Sequence, residues 1–256
     1  MSEFKYLKFE KTNGVARITL DRPKHNVMNI DMMKELNSLL EALGSDDEVK
    51  CLVLFGEGKS WCAGVEVGDH KPEMAPAMIA VFDRIFELIH RLDVPAIAAV
   101  HGACLGGGME LAIACDIVVA SSNARFGVPE IKLGFFPPYA VVRLPELVGT
   151  AKTIEICTTG RIYTAREAFD LGFVSSVADE ENFSRKIDGL VEEICSCSPL
   201  IIRMNKRAVK MTKGREFREA AKKASDYFLN SLMKTEDTLE GIRSFEEKRK
   251  PVWKNE

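Results

Sequence analysis

The sequence predicts an α/β fold followed by a helical C-terminal region. Three apolar runs with the composition of buried strands, at 51–55, 95–100 and 117–120, alternate with segments of helical spacing. Three consecutive glycines, 106–108, lead directly into an apolar segment that carries one carboxylate. From about residue 150, apolar residues recur at helical spacing almost to the end of the chain.

The first elements follow from local patterns. Residues 4–20 alternate between polar and apolar side chains, as expected for two strands joined by a turn at Thr12-Asn13-Gly14. Residues 31–43 have helical spacing and end at Gly44. The later elements are expected, in chain order, to be strand 51–55, loop 56–68, helix 76–92, strand 95–100, a helix after Gly106, strand 117–120, helices 150–158, 165–171, 181–196 and 199–213, and a charged segment to 247.

The change in pattern between residues 150 and 200 suggests two parts of the chain. We expect residues 1–195 to form an α/β core that holds the ligand. We expect residues 196–256 to form a helical C-terminal region that packs against another subunit. No internal repeat or low-complexity linker separates the two.

Composition excludes several classes of function. A net charge of −3 argues against a protein that mainly binds nucleic acid or a membrane surface. No apolar run approaches the ~20 residues of a membrane span, and the N-terminal stretch from Met1 to Tyr6 has no hydrophobic signal core. Seven cysteines, an odd number, suggest reduced thiols in a cytoplasm. We expect no metal site, because no Cys or His pairs have zinc spacing.

The glycine run is the strongest chemical signal. Backbone amides at a helix N-terminus favour negative charge, and glycines let a ligand approach them closely. Glu110 follows at once and is surrounded by apolar residues, so an anion held by amides beside a carboxylate is one interpretation. A tight strand-to-helix turn whose glutamate reaches solvent is the other, and this stretch does not decide between them. The run fails the dinucleotide fingerprint because its last position is Leu111.

Two further segments suggest chemistry. Residues 61–66 follow a buried strand and form a second glycine-containing turn, and residues 126–131 place Glu130 beside a proline. Cys62 is more easily explained as a packed thiol than as a nucleophile, since no histidine is adjacent. Taken alone, Glu130 fits an ordinary loop or cap acid.

Taken together, these segments resemble the crotonase superfamily, the enoyl-CoA hydratase/isomerase family, over almost the whole chain. The landmarks appear in family order: Asp21-Arg22-Pro23, 61–66, 95–102, 106–110 with Cys115-Asp116, 126–134, Thr159-Gly160-Arg161, 165–168, 171–174 and 245–251. The resemblance implies a spiral of ββα turns with C-terminal helices that build a homotrimer or homohexamer.

The resemblance also implies roles for particular residues. The thioester oxygen of an acyl-CoA would lie between the backbone N–H groups of Val65 and Gly107, with Ala63 and Gly64 in the same substrate-binding turn. Glu110 and Glu130 would flank the α,β double bond and serve as acid and base for the addition of water. No separate cofactor is implied, since CoA is part of the substrate.

The sequence departs from the common hydratase pattern after Leu133-Gly134. The family usually has a Pro-Gly-x-Gly-Gly segment there, whereas this chain brings Phe135, Phe136 and Tyr139. Aromatic walls suit a flat acyl group, although the two phenylalanines would also fit the core. In this respect the chain resembles the cyclic dienoyl-CoA hydratases of anaerobic benzoyl-CoA breakdown.

Two lysines are candidates for binding the CoA phosphates: Lys24 in the Arg22-Pro23-Lys24 loop and Lys248 near the C-terminus, from the same or a neighbouring subunit.

The leading hypothesis for the function is a hydratase of enoyl- or dienoyl-CoA. The alternatives are a double-bond isomerase, a decarboxylase or thioesterase of the same fold, and a catalytically silent protein that binds RNA or a partner. Retention of both glutamates argues against the silent protein.

Overall fold

The computed structural model describes residues 4–256. The N-terminal stretch from Met1 to Tyr6, which is expected to lack a signal core, therefore lies partly outside the described residues. The strands are β1 (Leu7–Thr12), β2 (Val15–Leu20), β3 (Cys51–Gly56), β4 (Ala96–Val100), β5 (Ala103–Leu105), β6 (Ile117–Ser121), β7 (Arg125–Gly127), β8 (Tyr163–Thr164) and β9 (Ser176–Ala178). The α-helices are α1 (Ile30–Gly44), α2 (Ala75–Arg91), α3 (Gly107–Ala114), α4 (Ala140–Val148), α5 (Thr150–Thr159), α6 (Ala165–Leu171), α7 (Phe183–Cys195), α8 (Pro199–Thr212), α9 (Phe217–Asn230) and α10 (Glu236–Glu246).

A six-stranded sheet with the order β1-β2-β3-β4-β6-β9 forms the centre of the fold. The pair β1-β2 is an antiparallel hairpin, and every later pairing in the sheet is parallel. The strands β3 and β4 are almost entirely buried, which explains their continuous apolar sequence, because a parallel sheet is covered on both faces.

A second, smaller sheet with the order β5-β7-β8 positions the candidate site. Two of its strands, β5 and β7, follow the large-sheet strands β4 and β6 after short turns, and a parallel bridge between Cys62 and Cys104 extends the same stacking to the segment after β3. Successive turns of the chain therefore stack on one another. The segments after β3, β4 and β6 become spatial neighbours, although they are far apart in sequence.

The two faces of the large sheet are covered differently. The main core lies on the side of α1, α2 and α3 and includes Trp61 and Phe82, both almost fully buried. A smaller cluster on the other face joins β2, β3, β4 and β6 to Ile187 and Val191 of α7. The candidate site lies on the side of the main core, since α2 and α3 both contribute to it.

The observed elements confirm the predicted α/β class with C-terminal helices. The hairpin at residues 4–20 and the strands at 51–55, 95–100 and 117–120 are present with small shifts at their ends. The expected helices are also present, but the expected helix 181–196 starts at Phe183 after a 3-10 turn at Glu180–Asn182. The charged segment predicted to extend to residue 247 contains two helices, α9 and α10, joined by the 3-10 turn Leu232–Lys234.

The C-terminal helices are held to the rest of the chain by polar contacts. Lys206 of α8 is largely buried and binds Asp116 at 2.6 Å, and Arg203 donates to the carbonyl of Asp47 at 2.7 Å. The Asp237 carboxylate of α10 accepts a hydrogen bond from the backbone N–H of Lys254, and this bond holds the C-terminal tail against α10. Among the described residues no helix is both long and apolar enough to cross a membrane.

Candidate active site

A cavity of about 390 Å³ opens where the successive turns of the chain meet α2. It brings together most of the residues that the sequence pointed to. The predicted residues that line it are Ala63, Gly64, Val65, Gly107, Glu110, Glu130, Phe135 and Phe136. They come from four separate segments, so their convergence is a property of the fold.

Glu110 reaches the cavity from the first turn of α3. The turn before it is possible because Gly106 has φ +53°, and a Cβ there would lie 2.8 Å from Glu130 Oε1. A Cβ on Gly108 would lie 2.2 Å from the carbonyl oxygen of Cys62, so α3 packs directly on the backbone of the preceding turn. The Glu110 side chain is 1% exposed, which excludes the interpretation that it reaches solvent.

Two backbone donors fix the Glu110 carboxyl group. Its Oε1 accepts the N–H of Tyr139 at 2.7 Å and that of Ala140 at 2.8 Å, both at the start of α4. One oxygen is thus anchored. The other oxygen is left for chemistry in the cavity.

Glu130 lies on the 3-10 turn Pro129–Leu133, opposite the glycine turn. Its Oε2 is buried and has no hydrogen-bond partner among the described residues. A buried carboxylate oxygen without a partner is costly, so it is expected to bind water or a ligand. This geometry argues against an ordinary cap acid.

Burial shifts the protonation of both glutamates in the same direction. The pKa of Glu110 is raised to about 8, mainly by burial and also by the nearby Glu130, against the lowering effect of its two backbone donors. Burial also raises the pKa of Glu130. Near neutral pH Glu110 is therefore largely protonated in the free protein, and the pair carries less negative charge than two ordinary carboxylates.

Two backbone amides face the same cavity. The N–H groups of Val65 and Gly107 donate no hydrogen bond within residues 4–256. A Cβ built on Gly107 would lie 2.6 Å from Val65 Cγ2, which shows how closely the two turns approach. Gly107 is also the first residue of α3, where the helix N-terminus favours an anion. The pair can hold an oxygen on which negative charge develops.

The aromatic segment forms one wall of the cavity, with a correction. Phe135, Phe136 and Pro138 line it, but Tyr139 does not. The Tyr139 ring stacks on Phe86 of α2, with ring centroids 3.8 Å apart, because Tyr139 stands just before α4 and turns its side chain towards the core. Its contribution to the site is the backbone N–H that binds Glu110.

Neither candidate lysine lines the cavity. Lys24 is exposed on the loop before α1, although the carbonyl of the next residue, His25, accepts the N–H of Ala63 in the turn that lines the cavity. Lys248 is exposed beyond the end of α10. The structure therefore places Lys24 next to a turn that lines the site, and it places Lys248 outside the lining of this chain's own cavity.

His70 is a lining residue that the sequence did not single out. It ends a 3-10 turn, Val67–His70, that follows the Val65 turn. Four histidines scattered along the chain carry no pattern, so only the fold reveals that this one reaches the cavity.

Other chemistries find less support in the site. Burial raises the pKa of Cys62 to about 12, and its Sγ lies 3.6 Å from the carbonyl oxygen of Gly64, as expected for a packed thiol and not for a nucleophile. Within residues 4–256 no group of three or more His, Cys, Asp or Glu side chains is arranged to hold a metal ion.

The chain is similar to known proteins over almost its whole length. The sequence profile described as Enoyl-CoA hydratase/isomerase matches residues 10–256. A probable enoyl-CoA hydratase of Bacillus subtilis is 34% identical over 248 residues, covering 94% of this chain and 96% of that protein. The short-chain-enoyl-CoA hydratase of Clostridium acetobutylicum is also 34% identical, covering 94% of each chain. The crystal structure of an enoyl-CoA hydratase from Bacillus anthracis superposes with a TM-score of 0.94 at 28% identity, covering 98% of this chain and all of that one.

Proposed function

The chain belongs to the enoyl-CoA hydratase/isomerase family and has the crotonase fold, and from this premise we propose that it is a hydratase. It would add water reversibly to the conjugated double bond of an acyl-CoA thioester, as a lyase. The observation that carries the proposal is the convergence on one cavity of the buried Glu110, the half-buried Glu130 and two backbone amides that donate no hydrogen bond within residues 4–256.

The amides supply the electrostatic part of the reaction. When water adds at the β-carbon, the electron pair of the double bond moves towards the carbonyl and charge develops on the thioester oxygen. Val65 and Gly107 would donate to that oxygen in a site that excludes bulk water. Removing one such donor typically costs about 3 kcal/mol of transition-state stabilisation.

The glutamates supply the proton transfers. One carboxylate takes a proton from water as the water oxygen bonds to the β-carbon, and the protonated carboxyl group transfers its proton to the α-carbon. The pair starts and ends with one proton, now on the other carboxyl group, so the same pair serves dehydration in reverse. The raised pKa values favour this singly protonated state near neutral pH.

For the acyl group we propose a flat ring, as in a cyclic dienoyl-CoA. The support is the wall that Phe135 and Phe136 contribute in place of a glycine segment. Phe136 is 68% exposed and Phe135 40%, so both rings stand at the cavity surface and are available for contact.

The choice of acyl group is tested by kcat/KM for a cyclohexadiene-carbonyl-CoA measured beside crotonyl-CoA. One methylene in an apolar pocket is worth only about 1–3 kcal/mol, so a preference above a hundredfold requires several contacts. A preference for crotonyl-CoA would overturn the cyclic substrate and leave the hydratase standing. Because the Tyr139 ring lies outside the cavity, Tyr139→Phe is expected to leave the ratio unchanged.

For the CoA phosphates we propose Lys24, supported by its place beside the Ala63 turn, and Lys248 contributed across a subunit boundary. Lys24→Ala is expected to raise KM with little change in kcat, because it removes binding shared by ground and transition states. An unchanged KM for CoA esters would remove Lys24 from the site.

The hydratase proposal itself is tested by absorbance. A panel of enoyl- and dienoyl-CoA esters is incubated with the protein, and loss of the conjugated thioester band is followed with mass spectrometry of the product. A mass gain of one water supports the proposal. Movement of the double bond without a mass change would show an isomerase.

A further inference from the structure

The cavity wall contains one polar side chain that the hydration chemistry does not use. Apart from Glu110 and Glu130, His70 is the sole residue with a polar side chain among the described residues that line the cavity. The rest of the wall is apolar, with Val67, Met78, Ile79 and Phe82 close by. A polar group in such a wall fixes the orientation of a ligand or selects for one of its substituents.

The contacts of His70 define which ring nitrogen is left to accept a hydrogen bond. Its Nδ1 lies 3.0 Å from the carbonyl oxygen of Glu66. A carbonyl oxygen only accepts, so Nδ1 carries the hydrogen and donates it. In the neutral ring Nε2 is then an acceptor. Nε2 has no partner among the described residues and is not sealed from solvent.

Several hydrogen bonds and an ion pair hold the backbone around His70 against the neighbouring segment 22–30. The N–H of Glu66 binds the carbonyl of Met28 at 2.8 Å, and the Glu66 carboxylate pairs with Arg22 at 3.0 Å. The Asp69 carboxylate accepts the N–H of Ile30 at 3.1 Å, at the start of α1. The His70 ring also packs against Phe135, with centroids 5.2 Å apart. The acceptor is therefore held in place before a ligand arrives.

We propose that His70 is a specificity-determining residue that accepts a hydrogen bond from a hydroxyl group on the acyl moiety. This inference rests on the proposed function in one respect, that the cavity receives the acyl group of a CoA thioester. The site would then bind hydroxylated acyl-CoA esters more tightly than their deoxy counterparts. The hydroxylated esters include the products of hydration.

The test uses ligands that do not react. Cyclohexanecarbonyl-CoA and its 3- and 4-hydroxy derivatives have no double bond to hydrate and no β-hydroxyl to eliminate. Their affinities are measured by isothermal titration calorimetry at one fixed pH. The variant His70→Phe keeps a ring against Phe135 but removes the acceptor, His70→Gln keeps an acceptor, and His90→Phe changes an exposed histidine away from the cavity.

In the wild type, at least one hydroxy ester is expected to bind roughly two- to tenfold more tightly than the parent ester, the range for one neutral hydrogen bond. His70→Phe should abolish that ratio while still binding the parent ester, which also shows that the variant is folded. His70→Gln should keep part of the ratio and His90→Phe all of it. Equal ratios in wild type and His70→Phe would overturn the assignment.

Failure of this inference is distinguishable from failure of the proposed function. The binding ratios do not depend on turnover, whereas the hydratase proposal is judged by water addition to unsaturated esters. If the protein discriminates the hydroxy esters through His70 but hydrates no unsaturated ester, the His70 inference stands and the hydratase proposal is wrong.

Discussion

At the residue scale, the two glutamates differ in how they are held. Glu110 is anchored through one oxygen by the backbone at the start of α4, whereas Glu130 keeps a buried oxygen without a partner among the described residues. The first therefore has a fixed orientation, and the second is free to orient a water molecule. This contrast cannot be inferred from the sequence, because the two residues that donate to Glu110 are about thirty positions away from it along the chain.

Replacing either glutamate tests the two-carboxylate mechanism. Glu110→Gln and Glu130→Gln should each lower kcat by about two to four orders of magnitude, the range for general acid–base groups, while acyl-CoA binding is largely kept. Steady-state kinetics and calorimetry measure the two effects separately. Glu181→Gln, an exposed glutamate, is the matched control. Near-normal hydration by either variant would show that the mechanism does not need that carboxyl group.

The raised pKa values make the reaction depend on pH in a defined way. The rate constant kcat/KM should fall on the alkaline side with a midpoint of about 8, as Glu110 loses its proton. It should fall on the acid side as Glu130 gains one, at a pH above the ordinary range for a glutamate. A bell-shaped profile is expected, and a profile that stays flat from pH 6 to 10 would contradict it.

The same shift links pH to stability. Between the ordinary glutamate pKa and about 8, the folded protein keeps a proton on Glu110 that the unfolded chain has lost. The folded state binds more protons in this window, so the Glu110 contribution is favourable at low pH and is lost as pH rises to 8. Denaturant titrations should show wild-type stability falling from pH 5 to pH 8 relative to Glu110→Gln. The opposite slope would mean that Glu110 is ionised in the folded protein.

At the scale of elements, long periodic segments were predictable and short ones were not. Helices such as α1 and α2 have amphipathic spacing over many residues, and β3 and β4 are continuous apolar runs between turn signals. The strands β5, β7 and β8 have two or three residues each, which is too few for a period to appear. Yet these strands stack the turns that form the site.

The aromatic segment at residues 135–139 shows a second limit of prediction from the sequence. The sequence predicts a pocket wall that includes Phe135, Phe136 and Tyr139, but the lining ends at Pro138 and α4 begins at Ala140. Pro145 within α4 and the prolines before it obscured the helical spacing. The site residues that the resemblance implied converge on the cavity, apart from the Tyr139 side chain and the two lysines. His70 belongs to no sequence motif, so its place in the cavity wall could be identified only from the fold.

The docking of α3 depends on a glycine with no room for a side chain. Gly108→Ala would press a methyl group against the Cys62 carbonyl oxygen and push α3 away from the preceding turn. This should destabilise the protein by about 1–3 kcal/mol and lower kcat, because the Gly107 amide and Glu110 move with the helix. Gly189→Ala is the control: it lies within α7 in open space and should be neutral or slightly stabilising. Thermal unfolding and kinetics of both variants measure the difference, and a fully active, stable Gly108→Ala would contradict the packing argument.

At the scale of the whole molecule, the C-terminal region leaves apolar side chains uncovered in the single chain. Those at least 37% exposed are Val209, Phe217, Phe228, Leu229, Met233, Leu239, Ile242, Phe245 and Val252. Phe217 and Phe245 are 83% and 86% exposed, and an isolated soluble chain rarely exposes so many large apolar groups in one region. We propose that this surface is buried between subunits of a homotrimer or homohexamer. Such an assembly would also let Lys248 of one subunit approach the cavity of another.

The assembly is tested by a charge placed on that surface at Phe245, its most exposed apolar residue. Sedimentation velocity of the wild type is expected to give three or six times the 28.5 kDa of one chain. Phe245→Asp should shift the population towards the monomer, because burying an unpaired carboxylate in an apolar interface is costly. Ile154→Asp places the same charge on an exposed apolar position of α5, outside the C-terminal region, and should leave the assembly intact. If Lys248 acts across the boundary, monomers of Phe245→Asp should also have a higher KM for CoA esters at low protein concentration. A wild-type monomer with full activity would show that neither the C-terminal surface nor Lys248 needs a second subunit.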